Sequence, residues 1–187
     1  MNLPNKLTVC RILLVPVFIV FAILANQNGV WWQYLASALI FAVASFTDFL
    51  DGQIARRRHL VTDFGKFADP LADKILTTVA FLYMMQAGVC DPLVLCIILA
   101  REFAVAGVRM VAAGAKEGRV IAANVWGKIK TVMQMLSILV YYIGMSISQT
   151  TTVYTVSAVL CWLCAAATLL SGIIYLWDNR SFIMASK

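Results

Sequence analysis

The chain reads as an all-α integral membrane protein, a bundle of six transmembrane helices with both termini in the cytoplasm. Three observations predict this. Of its 187 residues, 62% are hydrophobic; apolar runs of membrane-crossing length recur six times; and basic residues crowd onto alternate connections between those runs. A hydrocarbon core about 30 Å thick takes roughly 20 helical residues to cross. The runs 7–25, 33–55, 67–88, 92–113, 126–147 and 152–176 meet that length. They lack the two-residue alternation of barrel strands, and only helices or closed barrels satisfy their backbone groups in lipid.

Taken in order, the first run follows Met1-Asn2-Leu3-Pro4-Asn5-Lys6, a start with little positive charge and no small-residue cleavage pattern. It therefore predicts a retained span and not a signal peptide. Asn26-Gln27-Asn28-Gly29 ends it, and the second run carries on to Arg56. The stretch from Arg56 to Lys66 precedes the third, Cys90-Asp91-Pro92 the fourth, Lys116 to Arg119 the fifth, and Gln149 to Thr151 the sixth. One side collects Lys6, Arg11, Arg56, Arg57, Arg58, Lys66, Lys116, Arg119, Lys128, Lys130, Arg180 and Lys187; the opposite connections hold only Asp91. Positive charge concentrates on the cytoplasmic side, which orients the bundle. The formal charge of +6 is thus a one-sided field suited to anionic lipids and anionic soluble ligands. Nothing in it points to nucleic acid. Six spans use nearly the whole length, which predicts a single domain over 1–187. Cysteines 10, 90, 96, 161 and 164 lie in or beside spans, and Cys161-x-x-Cys164, with no His or carboxylate near it, reads as packing.

The chemistry concentrates between Asp48 and Asp73, in D-F-L-D-G-Q-I-A-R-R-R-H-L-V-T-D-F-G-K-F-A-D-P-L-A-D. Asp48, Asp51, Asp69 and Asp73 stand in otherwise apolar sequence, where an ionised group is expensive unless neutralised. On a helix, Asp48, Asp51, Gly52, Ala55 and Arg56 fall within an arc of roughly 140°. Asp69 and Asp73 are four apart on the next span. Two such faces make an oxygen-only cage for a hard divalent cation, Mg²⁺ or Mn²⁺, with no His or Cys to suit zinc. Two plainer readings stand beside it: Asp69 as a helix cap before Pro70, and Asp48 and Asp51 as partners of Arg57 or Arg58. Asp63 and His59 read as solvated loop residues. At 1.5 Å per residue, Asp48 lies roughly 12 Å inward of Arg56, near the cytosolic edge of the hydrocarbon. A transporter would usually place its acids near the midplane; a mere anchor has no use for four of them.

These residues fit D-x2-D-G-x2-A-R-x8-G-x3-D-x3-D without departure, through Asp48, Asp51, Gly52, Ala55, Arg56, Gly65, Asp69 and Asp73. The pattern resembles the signature of the CDP-alcohol phosphatidyltransferases. N-L-P-N-K-L-T-V-C-R-I at the start, R-E-F-A-V-A-G-V-R at 101–109 and G-K-I-K-T-V-M-Q-M at 127–135 resemble bacterial members that use glycerol 3-phosphate. The resemblance implies attack of an alcohol on the β-phosphorus of CDP-diacylglycerol, with release of CMP, at the cytoplasmic face of a bacterial plasma membrane. It implies one or two Mg²⁺ or Mn²⁺ ions on Asp48, Asp51 and Asp69, with Asp73 as general base and perhaps a fourth ligand. Gly52, Ala55 and Arg56 would meet the cytidine diphosphate, completed by Thr62, Asn5 and Thr8, although Asn5 and Thr8 also suit capping of the entry helix. A homodimer is expected on the same ground.

For the acceptor, the remaining cations are the guide. An intramembrane arginine such as Arg101 needs an anionic partner inside the bundle. Neighbouring helical residues point apart, so Arg101 is expected not to pair with Glu102. Arg109 and Lys128 lie near the cytosolic level, and together with Arg101 they make the expected glycerol 3-phosphate pocket. Inositol phosphate or serine stays open as the acceptor.

Overall fold

Each apolar run forms a helix because its backbone groups have no other partner in hydrocarbon. The computed structural model describes the backbone over residues 3–57, 63–114 and 125–180, and side chains over 8–47, 74–110 and 125–180. Its helices are α1 (Leu3–Asn28), α2 (Trp31–Arg57), α3 (Asp63–Gln86), α4 (Pro92–Gly114), α5 (Val125–Ile147) and α6 (Thr151–Asp178). Among the described residues there is no strand. Helix α1 packs chiefly on α2, and α5 on α6; α2 with α5, α4 with α6 and α1 with α3 close the bundle.

Small and aromatic residues share the interior. On α1, Thr8, Arg11, Val15, Phe18, Ala22 and Ala25 are buried, a stripe at helical spacing. Phe18 meets Tyr142 edge-on at 5.5 Å between ring centroids, and Tyr141 and Tyr142 stand 4.9 Å apart. The outer faces are apolar instead: Leu13, Val20, Leu39, Val43, Phe103, Val132, Leu136, Val159 and Ile173 are all exposed. Apolar exposure on this scale marks contact with lipid or protein, not water. Among the described residues, three segments are long and apolar enough to cross a membrane: Thr8–Asn28, Val125–Ile147 and Thr151–Asp178.

Three connections gather at one end. Gly29 and Gly88 adopt φ of 65° and 77°, left-handed values that glycine takes without a Cβ clash. Asn26 Nδ2 donates to the Tyr83 carbonyl at 2.9 Å, and Gln149 Nε2 donates to the Gly29 carbonyl. Cys90, Cys161 and Cys164 are buried free thiols, with Cys161 Sγ 3.7 Å from Ser137 Oγ. The Cys161-x-x-Cys164 pair is therefore packing, as its apolar setting suggested.

Helix α3 begins at Asp63, ahead of the apolar run that announced it. Asp69 and Pro70 consequently sit inside its second turn, so Asp69 is not a helix cap. Asp63 opens the helix instead of lying in a loop.

Candidate active site

The signature falls on two neighbouring helices. Asp48, Asp51, Gly52, Ala55 and Arg56 belong to α2, and Asp69 and Asp73 to α3, each pair of aspartates about one turn apart. The two helices are in contact. The side chains of these residues and of Asn5 lie outside the described residues, as do Thr62, His59, Lys116 and Arg119 altogether. Among the described residues no group of three or more His, Cys, Asp or Glu could hold a metal. The four aspartates fit one by their chemistry: an all-carboxylate donor set on packed helices suits Mg²⁺ or Mn²⁺. Thr8 is described, and it is buried beside Arg11 on the inner stripe of α1, within the helix and not at its cap.

A second charged centre follows directly in sequence. Lys74, next after Asp73, places Nζ 2.9 Å from Glu102 Oε2. Lys130 Nζ donates to Glu102 Oε1, and Arg101 Nη1 donates to the same oxygen at 3.3 Å. The pairing of Arg101 with Glu102 corrects the expectation that adjacent helical residues diverge. The bonds from the helix do diverge, but the long arginine side chain curls back so that its planar fork meets the carboxylate. Arg101 Nη2 also donates to Ser171 Oγ of α6 at 2.7 Å. One carboxylate thus collects cations from α3, α4 and α5, while Arg101 reaches α6.

Glycines make that reach possible. A Cβ on Gly172 would come 2.9 Å from Arg101 Cγ, and one on Gly127 would come 3.7 Å from its Nη2. Hydrogen-bond donors accumulate on the surrounding faces. Arg101 Nε, Gln134 Nε2, the Thr168 hydroxyl and the Tyr175 hydroxyl are buried without hydrogen-bond partners. Buried donors left unpaired cost roughly 1–3 kcal/mol each, so such a group suits a ligand rich in acceptor oxygens.

These features have a match among known proteins. The family model for CDP-alcohol phosphatidyltransferase covers residues 1–170. The chain belongs to the CDP-alcohol phosphatidyltransferase family. Its similar relatives include the CDP-diacylglycerol–glycerol-3-phosphate 3-phosphatidyltransferase of Bacillus subtilis (strain 168), 42% identical over 145 residues, 73% of this chain and 74% of that one. The protein of the same name from Rickettsia typhi (strain ATCC VR-144 / Wilmington) is 36% identical over 174 residues, 93% of this chain and 94% of that one. A third, from Pseudomonas fluorescens, is 37% identical over 145 residues, 75% of this chain and 71% of that one.

In this phosphatidyltransferase the cations expected to meet the acceptor are only partly gathered. Arg101 is in the cluster. Arg109 is exposed, its guanidinium carbon 5.6 Å from the centre of the Tyr175 ring. Lys128 is exposed as well, whereas Lys130 is buried at 6%. Glu102, Lys74, Lys130 and Ser171 were missed from sequence. A signal for Lys130 existed: the buried positions Lys130, Gln134, Ser137, Ile138, Tyr141, Tyr142 and Met145 of α5 form one helical stripe, which passes Lys128 by.

Proposed function

We propose that this phosphatidyltransferase moves the phosphatidyl group of CDP-diacylglycerol to sn-glycerol 3-phosphate, giving phosphatidylglycerophosphate and CMP. The observation that carries the acceptor is the cationic cluster of Lys74, Arg101 and Lys130. It begins one residue after Asp73, where the reacting hydroxyl is to lose its proton. The shared name of the relatives supports the same acceptor.

In the proposed reaction, the acceptor hydroxyl attacks the β-phosphorus, a new O–P bond forms, and the bond to the CMP oxygen breaks. Asp73 takes the hydroxyl proton as general base, because an alcohol is too weak an acid to ionise unaided. Arg56, with Gly52 and Ala55 leaving room beside it, binds the cytidine diphosphate; Thr62, Asn5 and Thr8 complete that pocket. One or two Mg²⁺ or Mn²⁺ ions, held by Asp48, Asp51, Asp69 and Asp73, supply charge stabilisation for the diphosphate when bound. Arg101 holds the acceptor phosphate within the bundle, with Lys130 beside it, and Arg109 and Lys128 attract it from the cytosolic side.

The membrane reading extends this. All six helices span the bilayer of a bacterial cell, both termini face the cytoplasm, and the reaction occurs at that face. Exposed Trp31 and Trp32 at one end, and Trp126 and Trp177 at the other, suit the two interfacial belts. The family resemblance adds a homodimer.

A panel of radiolabelled acceptors tests the assignment, using purified protein, CDP-diacylglycerol and Mg²⁺. Product is expected with glycerol 3-phosphate and not with serine, inositol or inositol phosphate. Preference for any of those three overturns the acceptor while leaving the family intact.

A further inference from the structure

We propose that Glu102 is a positioning residue for the acceptor: it gathers Lys74, Arg101 and Lys130 into one cluster whose residual charge matches a phosphate dianion. The inference rests on the acceptor reading above and adds to it the residue that builds the pocket. Three cations from three helices repel one another, and in a partly buried setting that repulsion is poorly screened. One carboxylate answers all three, accepting from Lys74 at 2.9 Å on Oε2 and from Arg101 at 3.3 Å and Lys130 on Oε1. Its side chain is only 14% exposed, and those of Arg101 and Lys130 are 10% and 8% exposed.

Three cations against one carboxylate leave a formal charge of +2. A phosphate monoester carries close to two negative charges at neutral pH, so the cluster and this ligand cancel. A neutral alcohol would leave the cluster's excess uncompensated. Glu102 therefore serves selection of a phosphorylated acceptor as well as order. Its hold on Lys74 also steadies the turn of α3 that carries Asp73. The Arg101 bond to Ser171 fixes the other end of the guanidinium, so its unpartnered Nε is held in place for an incoming oxygen.

The test is steady-state kinetics of purified protein with Mg²⁺, varying each substrate in turn and using inorganic phosphate as a competing probe. Glu102→Gln is expected to raise KM for glycerol 3-phosphate at least about tenfold, the effect of losing one charge-assisted hydrogen bond. Inhibition by inorganic phosphate should weaken in parallel, while KM for CDP-diacylglycerol stays within about twofold. Glu102→Asp should restore most of the loss, since the charge remains. Lys130→Gln should resemble Glu102→Gln, and the double variant should be no worse than the poorer single, as residues acting as one unit require. An unchanged glycerol 3-phosphate KM in folded Glu102→Gln overturns the proposal. So does an equal rise for both substrates, or a double variant whose losses multiply. If Glu102→Gln does not fold, the cycle of Glu102→Asp with Lys130→Gln decides by the same criterion. A wild type that refuses glycerol 3-phosphate removes the acceptor reading itself, and is seen before any variant is made.

Discussion

At the scale of single residues, the chemistry divides between groups that bind and groups that act only as the reaction proceeds. Asp73 is of the second kind in the proposed reaction. Asp73→Asn should lower kcat by several orders of magnitude while sparing CDP-diacylglycerol affinity, measured by equilibrium binding beside turnover. Arg56→Ala should do the reverse and chiefly weaken the cytidine substrate. Gly172 gives a less obvious case. Its missing Cβ leaves room for the Arg101 stem, which a methyl group would meet at 2.9 Å. The near part of an arginine side chain cannot swing aside without carrying the guanidinium off Ser171. Gly172→Ala should therefore raise KM for glycerol 3-phosphate severalfold, and kinetics on the two substrates will separate that from a general loss of fold.

Among the elements, the α5–α6 pair depends on close backbone approach. A Cβ at Gly144 would lie 2.7 Å from Val153 Cγ1, and a β-branched valine has little rotamer freedom with which to retreat. Gly144→Ala should destabilise the bundle by roughly 1–3 kcal/mol, the usual cost of overpacking. Thermal unfolding in detergent would record it, and adding Val153→Ala should recover most of the loss. The α3–α4 connection yields a different expectation. Cys90 is buried there, and its hydrogen bond with Cys161, together with burial, pushes its thiol above the ordinary range. A raised thiol pKa means less thiolate at every pH below it, and thiolate is the reactive form. Cys90 should accordingly resist maleimide at neutral pH while exposed Cys10 and Cys96 label, as mass spectrometry of the intact protein in detergent would show.

For the whole molecule, the distribution of charge and the metal requirement are the quantities to test. A carboxylate-only cage predicts that EDTA abolishes turnover and that Mg²⁺ or Mn²⁺ restores it. Full activity after metal removal would reject the cage. The one-sided charge predicts that, in a cysteine-free background, a cysteine at Gln149 reacts with an impermeant thiol reagent from outside the cell. One at Lys187 should react only after the membrane is opened.

Much of this was readable without coordinates. Apolar runs of sufficient length can only become helices in lipid, so all six elements were legible to within a few residues. The aspartate signature was legible too, because its spacing is local and a helix converts local spacing into a shared face. The start of α3 was not, since Asp63 to Lys66 is polar and joins the helix without the apolar pattern that marks its remainder. Nor was the acceptor cluster legible. Glu102 meets Lys74 and Lys130 across gaps of 28 residues in each direction, and no local period encodes which helices will be neighbours. Chain order determined the spans, their charge asymmetry and the signature. Only the packing of α3, α4, α5 and α6 decided that Lys130 turns inward while Lys128 stays exposed, and that Arg101 finds Glu102. Long side chains choose partners by where neighbouring helices place opposite charge.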